Sequence, residues 1–263
     1  MATYLDRILD AHRVAAARDE RPFDDLYKQA CAVGPARGFR NSLADVDPVV
    51  DGIAVISEVK RRSPSKGDLF AGLDPAVVAR QYSAGGASCL SVLTDEEFFG
   101  GSVDDLQAAR NACSLPVLRK DFTVAERDVL DARIMGADCV LLIAAALDQD
   151  ELSKFHSLAV EVGLDVLVEV HDEPELEVAL AIGATLVGVN QRDLVTFNVD
   201  HERALRMGGV IPAEVVSVAE SGVRHRSDAV ALTEAGYQAV LVGETLVTSG
   251  DPEHAVADLR GRR

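Results

Sequence analysis

Four segments of the chain resemble one another, and this repeat constrains the fold more than any other feature. They read AGGASCLSVLT (84–94), IMGADCVLLIA (134–144), AIGATLVGVN (181–190) and EAGYQAVLVG (234–243). Each contains a glycine that suits the left-handed residue after a helix, namely Gly86, Gly136, Gly183 and Gly236. A short apolar run follows, which is typical of a strand buried on both faces. Successive glycines are about 50 residues apart, a length that two strand–helix units occupy.

One further strand is predicted within each repeat. The candidates are IAVISEVK (53–60), LPVLRKD (115–121), DVLVEV (165–170) and EVVSVAE (214–220). Helical segments are predicted around the strands, at about 74–85, 102–112, 124–135, 148–162, 172–182, 200–208, 225–235 and 251–260. This alternation predicts an α/β protein with a closed (β/α)8 TIM barrel. An open doubly wound sheet is the alternative. The barrel is favoured because a fourfold repeat closes naturally and no GxGxxG follows the first strand.

Residues 51–263 are predicted to form the barrel and residues 1–50 a helical extension, so that 1–263 form a single domain. Two short helices are predicted in the extension, within YLDRILDAHRVAAARDE (4–20) and PFDDLYKQACAV (22–33). A loop containing GPARGF (34–39) should then lead into the first strand. We expect the extension to pack on one end of the barrel.

The overall charge excludes some classes of partner. The formal net charge is −17, from 43 acidic and 26 basic residues, which argues against a general nucleic-acid or anionic-membrane binder. The N-terminal segment is charged throughout, and the chain lacks an apolar run of about 18 residues, so a cytoplasmic protein is expected. The cysteines show no CxxC spacing and the six histidines are scattered, so no metal site is predicted. We expect reduced core cysteines among Cys31, Cys89, Cys113 and Cys139.

Polar residues occur where the predicted strands end. In the first strand, Glu58 and Lys60 share a face with Ala54 and Ile56, so they should point into the barrel near its rim. Other strands end in Lys120, Glu169, Asn190, Arg192, Glu220 and Ser221. An exposed or structural ion pair would account for any one of these residues. Together at the C-terminal rim, where barrel chemistry occurs, they indicate acid–base catalysis.

Lysine usage supports a role in proton transfer for two of these residues. The chain has 21 arginines but five lysines, and two of the five, Lys60 and Lys120, occupy inward strand-end positions. A lysine can lose its proton when it is desolvated, whereas an arginine effectively cannot. Chance placement of five lysines is the competing explanation.

A phosphate site is predicted after the last two strands. The loops read AESGVRH (219–225) and LVGETLVTSGDP (241–252), and the second can contain one short helix. Gly222 and Gly243 would let backbone N–H groups approach an anion closely. Glu244 is expected to contribute its backbone N–H with its carboxylate turned away. Ser63 and Ser65 could add hydroxyl donors.

These motifs together resemble the indole-3-glycerol-phosphate synthase family of tryptophan biosynthesis. The resemblance runs along nearly the whole chain through EVKRRSPSKG (58–67), SVLTDEEFFGGS (91–102), PVLRKDF (116–122), LVEVHDE (167–173), GVNQRDLVTFNVD (188–200), VAESGV (218–223) and VLVGETLV (240–247). The first and third of these motifs are specific. The glycine motifs alone are shared with many phosphate-binding barrels.

The resemblance implies a reaction without a cofactor. The substrate would be 1-(2-carboxyphenylamino)-1-deoxy-D-ribulose 5-phosphate, which a carboxy-lyase reaction converts to indole-3-glycerol phosphate with loss of CO₂ and water. The implied partners are this phosphorylated small molecule and other tryptophan-pathway enzymes.

The resemblance also implies roles for individual residues. Lys120 would be the general acid, assisted by Lys60 and Glu58, with Glu169 as acid–base or electrostatic partner. Asn190 and Arg192 would orient the substrate, and Glu220 and Ser221 would line the site. Ser63, Gly222, Gly243 and Glu244 would hold the phosphate. Phe99 and Phe122 are candidates for an aryl pocket, with core packing as the alternative.

Two other functions remain as alternatives. A phosphoribosyl Amadori isomerase on a similar barrel would be expected to use a cysteine or aspartate pair at the ends of strands 1 and 6, where this chain has Glu58 with Lys60 and Asn190 with Arg192. A catalytically inactive barrel that serves as a binding partner is disfavoured by the complete set of strand-end residues.

Overall fold

Eight parallel strands close into a barrel in the computed structural model, which describes residues 3–63, 66–70, 72–193 and 198–261. The strands are β1 (Ala54–Val59), β2 (Cys89–Leu93), β3 (Val117–Lys120), β4 (Cys139–Ile143), β5 (Asp165–Val170), β6 (Leu186–Asn190), β7 (Val216–Glu220) and β8 (Ala239–Val242). Each strand pairs with its neighbours in sequence, and β1 also pairs with β8. The predicted (β/α)8 barrel is therefore confirmed, and the open sheet is excluded.

Helices surround the barrel and extend the chain at its N-terminus. They are α1 (Tyr4–Ala17), α2 (Phe23–Ala32), α3 (Phe39–Ala44), α4 (Pro75–Ala84), α5 (Val103–Ala112), α6 (Glu126–Ile134), α7 (Gln149–Glu161), α8 (Glu173–Ala181), α9 (His201–Gly208), α10 (Arg226–Glu234), α11 (Glu244–Val247) and α12 (Pro252–Arg260). A 3₁₀ turn spans Ala144–Ala146, and two-residue strands at Arg62–Ser63 and Gly67–Asp68 form a small hairpin after β1. Within the described residues, no helix combines the length and apolar composition needed to cross a bilayer.

Local signals in the sequence explain where the barrel helices begin and end. Asp74, Ser102 and Asp148 accept hydrogen bonds from backbone N–H groups in the first turns of α4, α5 and α7. The four repeat glycines have left-handed φ angles of 85° to 101°, as predicted for residues after a helix, namely Gly86, Gly136, Gly183 and Gly236.

Alternation along the strands divides the core into two layers. The residues of one parity fill the barrel interior, including Ile56, Leu118, Leu141 and Leu167. The residues of the other parity pack beneath the surrounding helices. Cys89 and Cys139 belong to the interior layer, and all four cysteines are free thiols. The expectation of core cysteines is wrong for Cys31, which is exposed on α2.

The extension contacts both ends of the barrel, so the prediction that it packs on one end is wrong. The segment predicted as a loop contains α3, whose Phe39 and Leu43 are fully buried against the interior layer. The backbone N–H of Arg40 donates to Asp165 at the start of β5, 2.9 Å away. α1 lies at the opposite end, where Ile8 lines a cavity. Sequence periodicity missed α3 because six residues are too few to show a helical pattern.

Removal of the Phe39 ring should destabilise the fold. Phe39 is 0% exposed, so Phe39→Ala is expected to lower the free energy of unfolding by about 3–5 kcal/mol, measured by urea denaturation. Phe70→Ala is the matched control, because Phe70 is 47% exposed and its loss should cost at most about 1 kcal/mol. Equal losses in the two variants would contradict the assignment of α3 to the core.

Candidate active site

A cavity of about 810 Å³ opens at the C-terminal ends of the strands. The structure places all of the candidate site residues on its wall, namely Glu58, Lys60, Ser63, Phe99, Lys120, Phe122, Glu169, Asn190, Arg192, Glu220, Ser221, Gly222, Gly243 and Glu244. Ser65, a further candidate for the phosphate site, lies outside the described residues. The side chains therefore meet at one rim as predicted, and the roles assigned to them remain predictions.

Strand parity determines which charged residues reach the cavity. In β3, Lys120 shares the inward face of Leu118. Arg119 points outward, where its guanidinium donates to Asp121 and to the carbonyl of Asp128. The adjacent cations Arg119 and Lys120 therefore have different surroundings, and only the lysine lines the cavity.

Lys120 lies between two buried carboxyl groups. Its Nζ is 3.1 Å from Oε2 of Glu169 and 3.8 Å from Oε2 of Glu220. Burial disfavours the ammonium form, but Glu169, Glu220 and Glu58 outweigh that cost and raise the pKa of Lys120 above its usual value. The sequence predicted a lysine that transfers protons, and the resemblance implied a general acid. The raised pKa of Lys120 favours the ammonium form that such an acid needs.

Glu169 is the anionic partner in this cluster. Its Oε1 accepts a hydrogen bond from Nδ2 of Asn190 at 3.0 Å. Burial alone would raise the pKa of Glu169, but Lys120, His171 and Asn190 outweigh it and lower the pKa to about 2. Oδ1 of Asn190 accepts from Oγ of Ser221 at 2.9 Å, so this contact fixes the orientation of the amide.

Glu220 has the opposite protonation tendency. Burial, and then the charge of Glu169, raise the pKa of Glu220 well above its ordinary value. Its Oε1 is buried and has no hydrogen-bond partner among the described residues. A Cβ at Gly188 would come 2.0 Å from this oxygen, so the glycine leaves room for the carboxyl group. Two neighbouring carboxyl groups with opposed pKa shifts can divide acid and base roles.

A second ion pair joins Glu58 and Lys60 at the end of β1. Both side chains are mostly buried, and both line the cavity. A Cβ at Gly243 would lie 2.2 Å from Oε1 of Glu58 and 3.1 Å from Nζ of Lys60. Gly243 therefore also provides space for this pair, a role that the sequence motif does not reveal.

The predicted phosphate corner lies where β1, β7 and β8 end. Ser221 and Gly222 both have left-handed backbone conformations, with φ angles of 68° and 78°. Oγ of Ser63 is buried and lacks a hydrogen-bond partner within the part of the chain that the structure describes. The carboxylate of Glu244, at the start of α11, forms an ion pair with Lys66.

The loop after β1 directs its three cations differently. Arg61 forms an ion pair with Asp105 on α5, whereas Arg62 forms one with Asp68 in the small hairpin. Lys66 is the loop cation that lines the cavity. The sequence left open which of these residues faces the site, because the outcome depends on partners distant in the chain.

The far side of the cavity is aromatic and includes residues that the sequence did not identify. The rings of Phe99 and Phe122 have centroids 6.1 Å apart. From α1, Tyr4, Leu5 and Ile8 complete this wall. The helix periodicity gave no signal for this role, because apolar residues on α1 are equally compatible with ordinary packing.

His12 fastens α1 to the barrel. Its Nε2 lies 3.0 Å from Oδ2 of Asp95 and 3.8 Å from Oδ1 of Asp121. Burial opposes protonation, but the two aspartates outweigh it and raise the pKa of His12. The three side chains are close enough to share a metal ion, and hydrogen bonds within the protein account for their arrangement.

Comparison of the sequence with known protein sequences gives one consistent family. A family model described as indole-3-glycerol phosphate synthase matches residues 5–259. A protein of that name from Nocardioides sp. is 53% identical over 245 residues, covering 90% of this chain and 94% of the relative. One from Rhodococcus jostii is 48% identical over 257 residues, covering 98% and 94%. A thiamine phosphate pyrophosphorylase structure from Pyrococcus furiosus has a TM-score of 0.61 at 15% identity, covering 80% of this chain and 95% of that chain, and shows the fold alone.

The buried carboxyl group of Glu220 should make stability depend on pH. Because the pKa of Glu220 is higher in the folded protein, its contribution to stability is present at low pH and is lost as pH rises from the ordinary value of 4.5 toward the folded-state pKa. Glu220→Gln removes this loss. Between the unfolded-state and folded-state pKa values, the free energy of unfolding of the variant should therefore rise relative to that of the unsubstituted protein by about 1.4 kcal/mol per pH unit. Urea denaturation at several pH values measures the difference. The exposed Glu202→Gln is the control, and a pH-independent difference for Glu220→Gln would contradict the assignment.

Proposed function

Because the chain belongs to the indole-3-glycerol phosphate synthase family, we propose that its rim cavity closes the pyrrole ring of 1-(2-carboxyphenylamino)-1-deoxy-D-ribulose 5-phosphate. The products are indole-3-glycerol phosphate, CO₂ and water, so the reaction is that of a carboxy-lyase. The observation that carries this proposal is the ammonium of Lys120 held between Glu169 and Glu220. An isomerase or an inactive barrel would leave this arrangement unexplained.

The two ends of the cavity suit the two ends of the substrate. The phosphate fits the corner formed by Ser63, Gly222 and Gly243, where a buried hydroxyl and left-handed backbone are available. The aryl ring fits the wall that contains Phe99 and Phe122. The substrate therefore extends across the rim, with its carbonyl group near Lys120.

Ring closure begins with proton transfer from Lys120. The aryl carbon that bears the carboxylate attacks the ribulose carbonyl carbon, and a carbon–carbon bond forms. The carbonyl oxygen takes the proton of Lys120 and becomes a hydroxyl group. Because that oxygen needs the ammonium, Lys120 must turn from Glu169 toward the substrate. The charge left on the ring is positive, and the anionic Glu169 stabilises it.

The later steps restore aromaticity. The aryl carboxylate leaves as CO₂, and its bonding electrons return to the ring. The new hydroxyl group then leaves as water with a proton from a carboxyl or ammonium donor, while a base removes the proton from the adjacent carbon. Lys60 and Glu58 supply an acid and a base beside each other for this dehydration. Burial raises the pKa of Glu220, so its carboxyl group is a further candidate donor.

Substrate orientation is assigned to the end of β6. Asn190 is fixed by its contacts with Glu169 and Ser221, and Arg192 follows it on the cavity wall. The guanidinium of Arg192 suits the substrate's carboxylate, because a planar fork of donors can bind two oxygens. Positive charge at Lys60, Lys120 and Arg192 thus meets an anionic substrate in an otherwise acidic protein.

Substitution of Lys120 should abolish most turnover. Lys120→Ala removes the general acid and is expected to lower kcat by about 10²- to 10⁴-fold, measured from the fluorescence of indole-3-glycerol phosphate. Lys120→Arg should also be poor, because an arginine retains the charge but transfers protons badly. Lys154→Ala is the control, since Lys154 is 62% exposed on α7. A Lys120→Ala variant with near-normal kcat would exclude the proposed acid.

The hydroxyl group of Ser63 should affect binding more than chemistry. Ser63→Ala removes a donor to the phosphate, so KM should rise about tenfold or more while kcat stays within about threefold. Steady-state kinetics measures both constants, with the exposed Ser153→Ala as control. An unchanged KM would remove Ser63 from the phosphate site.

A further inference from the structure

His171 lies behind the catalytic cluster and has no role in the steps above. It follows β5 directly and has the same parity as Glu169, two residues earlier. Its side chain is 13% exposed, and it is not among the described residues that line the cavity. It therefore lies outside the cavity wall, where it can act on Glu169.

Glu175 fixes the ring of His171 from the first turn of α8. Oε2 of Glu175 accepts the backbone N–H of His171 at 2.7 Å and lies 3.1 Å from Nδ1 of the ring. The backbone N–H of Glu175 donates in turn to Asp172, the N-cap of α8. The imidazole is thus held at a helix start. Its Nε2 lies 3.7 Å from Oε1 of Glu169.

The contacts determine the protonation of the ring. A carboxylate can only accept a hydrogen bond, so Nδ1 must carry a proton that it donates to Glu175. In the neutral ring, Nε2 would then direct a lone pair toward the Glu169 carboxylate. This lone pair and the carboxylate would repel each other, and Nε2 is buried with no hydrogen-bond partner among the residues described that could relieve the repulsion. A proton on Nε2 as well as Nδ1 makes the ring a cation, which attracts the carboxylate.

The surrounding charges favour the same state. Burial lowers the pKa of His171, but Glu175 and Glu169 outweigh it and raise the pKa. Arg203 on α9 opposes them at longer range, and it is itself 3.8 Å from Asp200. The imidazolium therefore faces carboxylates from β5 and α8 and one guanidinium from α9.

We propose that His171 is a positioning residue whose imidazolium holds Glu169 in its ionised form and in its place behind Lys120. The inference rests on the role given to Glu169 in the proposed function. When Lys120 turns to the substrate and gives up its proton, Glu169 loses its nearest cation. His171 stays in place because Glu175 holds it, so Glu169 remains anionic while positive charge develops on the substrate.

The pH dependence of a His171→Gln variant tests this role. Once Lys120 has turned to the substrate, Glu169 in this variant has neither nearby cation, so its pKa should rise and less of it should be ionised at low pH. At about pH 6, kcat should fall about tenfold while KM changes less than about threefold. As pH rises and His171 of the unsubstituted protein loses its charge, the ratio of the two kcat values should approach one. A ratio that is constant with pH, or that grows as pH rises, overturns the proposal.

Two variants sharpen the comparison. Glu175→Gln removes a carboxylate that favours the imidazolium, so His171 should lose its charge at a lower pH in this variant. The kcat of Glu175→Gln should therefore become equal to that of His171→Gln at a lower pH than the kcat of the unsubstituted protein does. His254→Gln, on the exposed face of α12, should leave the pH profile unchanged. If the unsubstituted protein turns over the substrate but His171→Gln has no pH-dependent effect, this inference alone is wrong. If the unsubstituted protein shows no turnover, the proposed function is wrong.

Nuclear magnetic resonance gives a readout that does not require activity. Both ring nitrogens of His171 should be protonated near pH 6.5, the ordinary midpoint of a histidine. Their signals are assigned by their absence from the spectrum of His171→Gln or by their shift in that of Glu175→Gln. Glu169→Gln should lower the pH at which they titrate. A ring that is neutral at pH 6.5 in the unsubstituted protein rules the proposal out, even if the His171 variant fails to fold.

Discussion

Closure of the parallel sheet is the constraint on which the site depends. All eight strands run parallel and β1 pairs with both β2 and β8, so the C-terminal ends of the strands form one closed rim. The register then places Glu220 beside Asn190 and Glu169 beside Ile143 at that rim. A shift of one residue in any strand would exchange its inward and outward faces. In β3 such a shift would replace the ammonium of Lys120 with the guanidinium of Arg119.

Environment, more than residue type, distinguishes the carboxyl groups at this rim. Glu169 and Glu220 are both fully buried, yet their pKa values shift in opposite directions. Glu169 has a lysine, an amide and a histidine as neighbours, whereas Glu220 has an oxygen without a partner within the described chain. This division concentrates buried charge in a small volume, as is usual where stability is exchanged for activity. The surrounding apolar layers supply the compensating stability.

The sequence predicted the barrel because its signals are local. Each repeat glycine, each apolar run and each polar strand end, such as Lys120, depends on residues nearby in the chain. The sequence could not predict α3, which is held by long-range contacts such as that of Arg40 with Asp165. Nor could it show that α1 reaches the cavity, because Tyr4 and Ile8 belong to an ordinary amphipathic pattern. The pairing of Lys66 with Glu244 likewise requires the folded loops to meet.

The extension also has a consequence for the order of events during synthesis. Its residues leave the ribosome before those of the barrel, but the guanidinium of Arg40 donates to the carbonyl oxygens of Thr185 and Glu214, which follow it by 145 and 174 residues. α3 therefore cannot complete its contacts until most of the barrel has been made. Until then Phe39 and Leu43, which are fully buried in the finished protein, have no barrel interior to enter. The nascent chain therefore carries these apolar side chains outside their native site until the strands that bury them have been made.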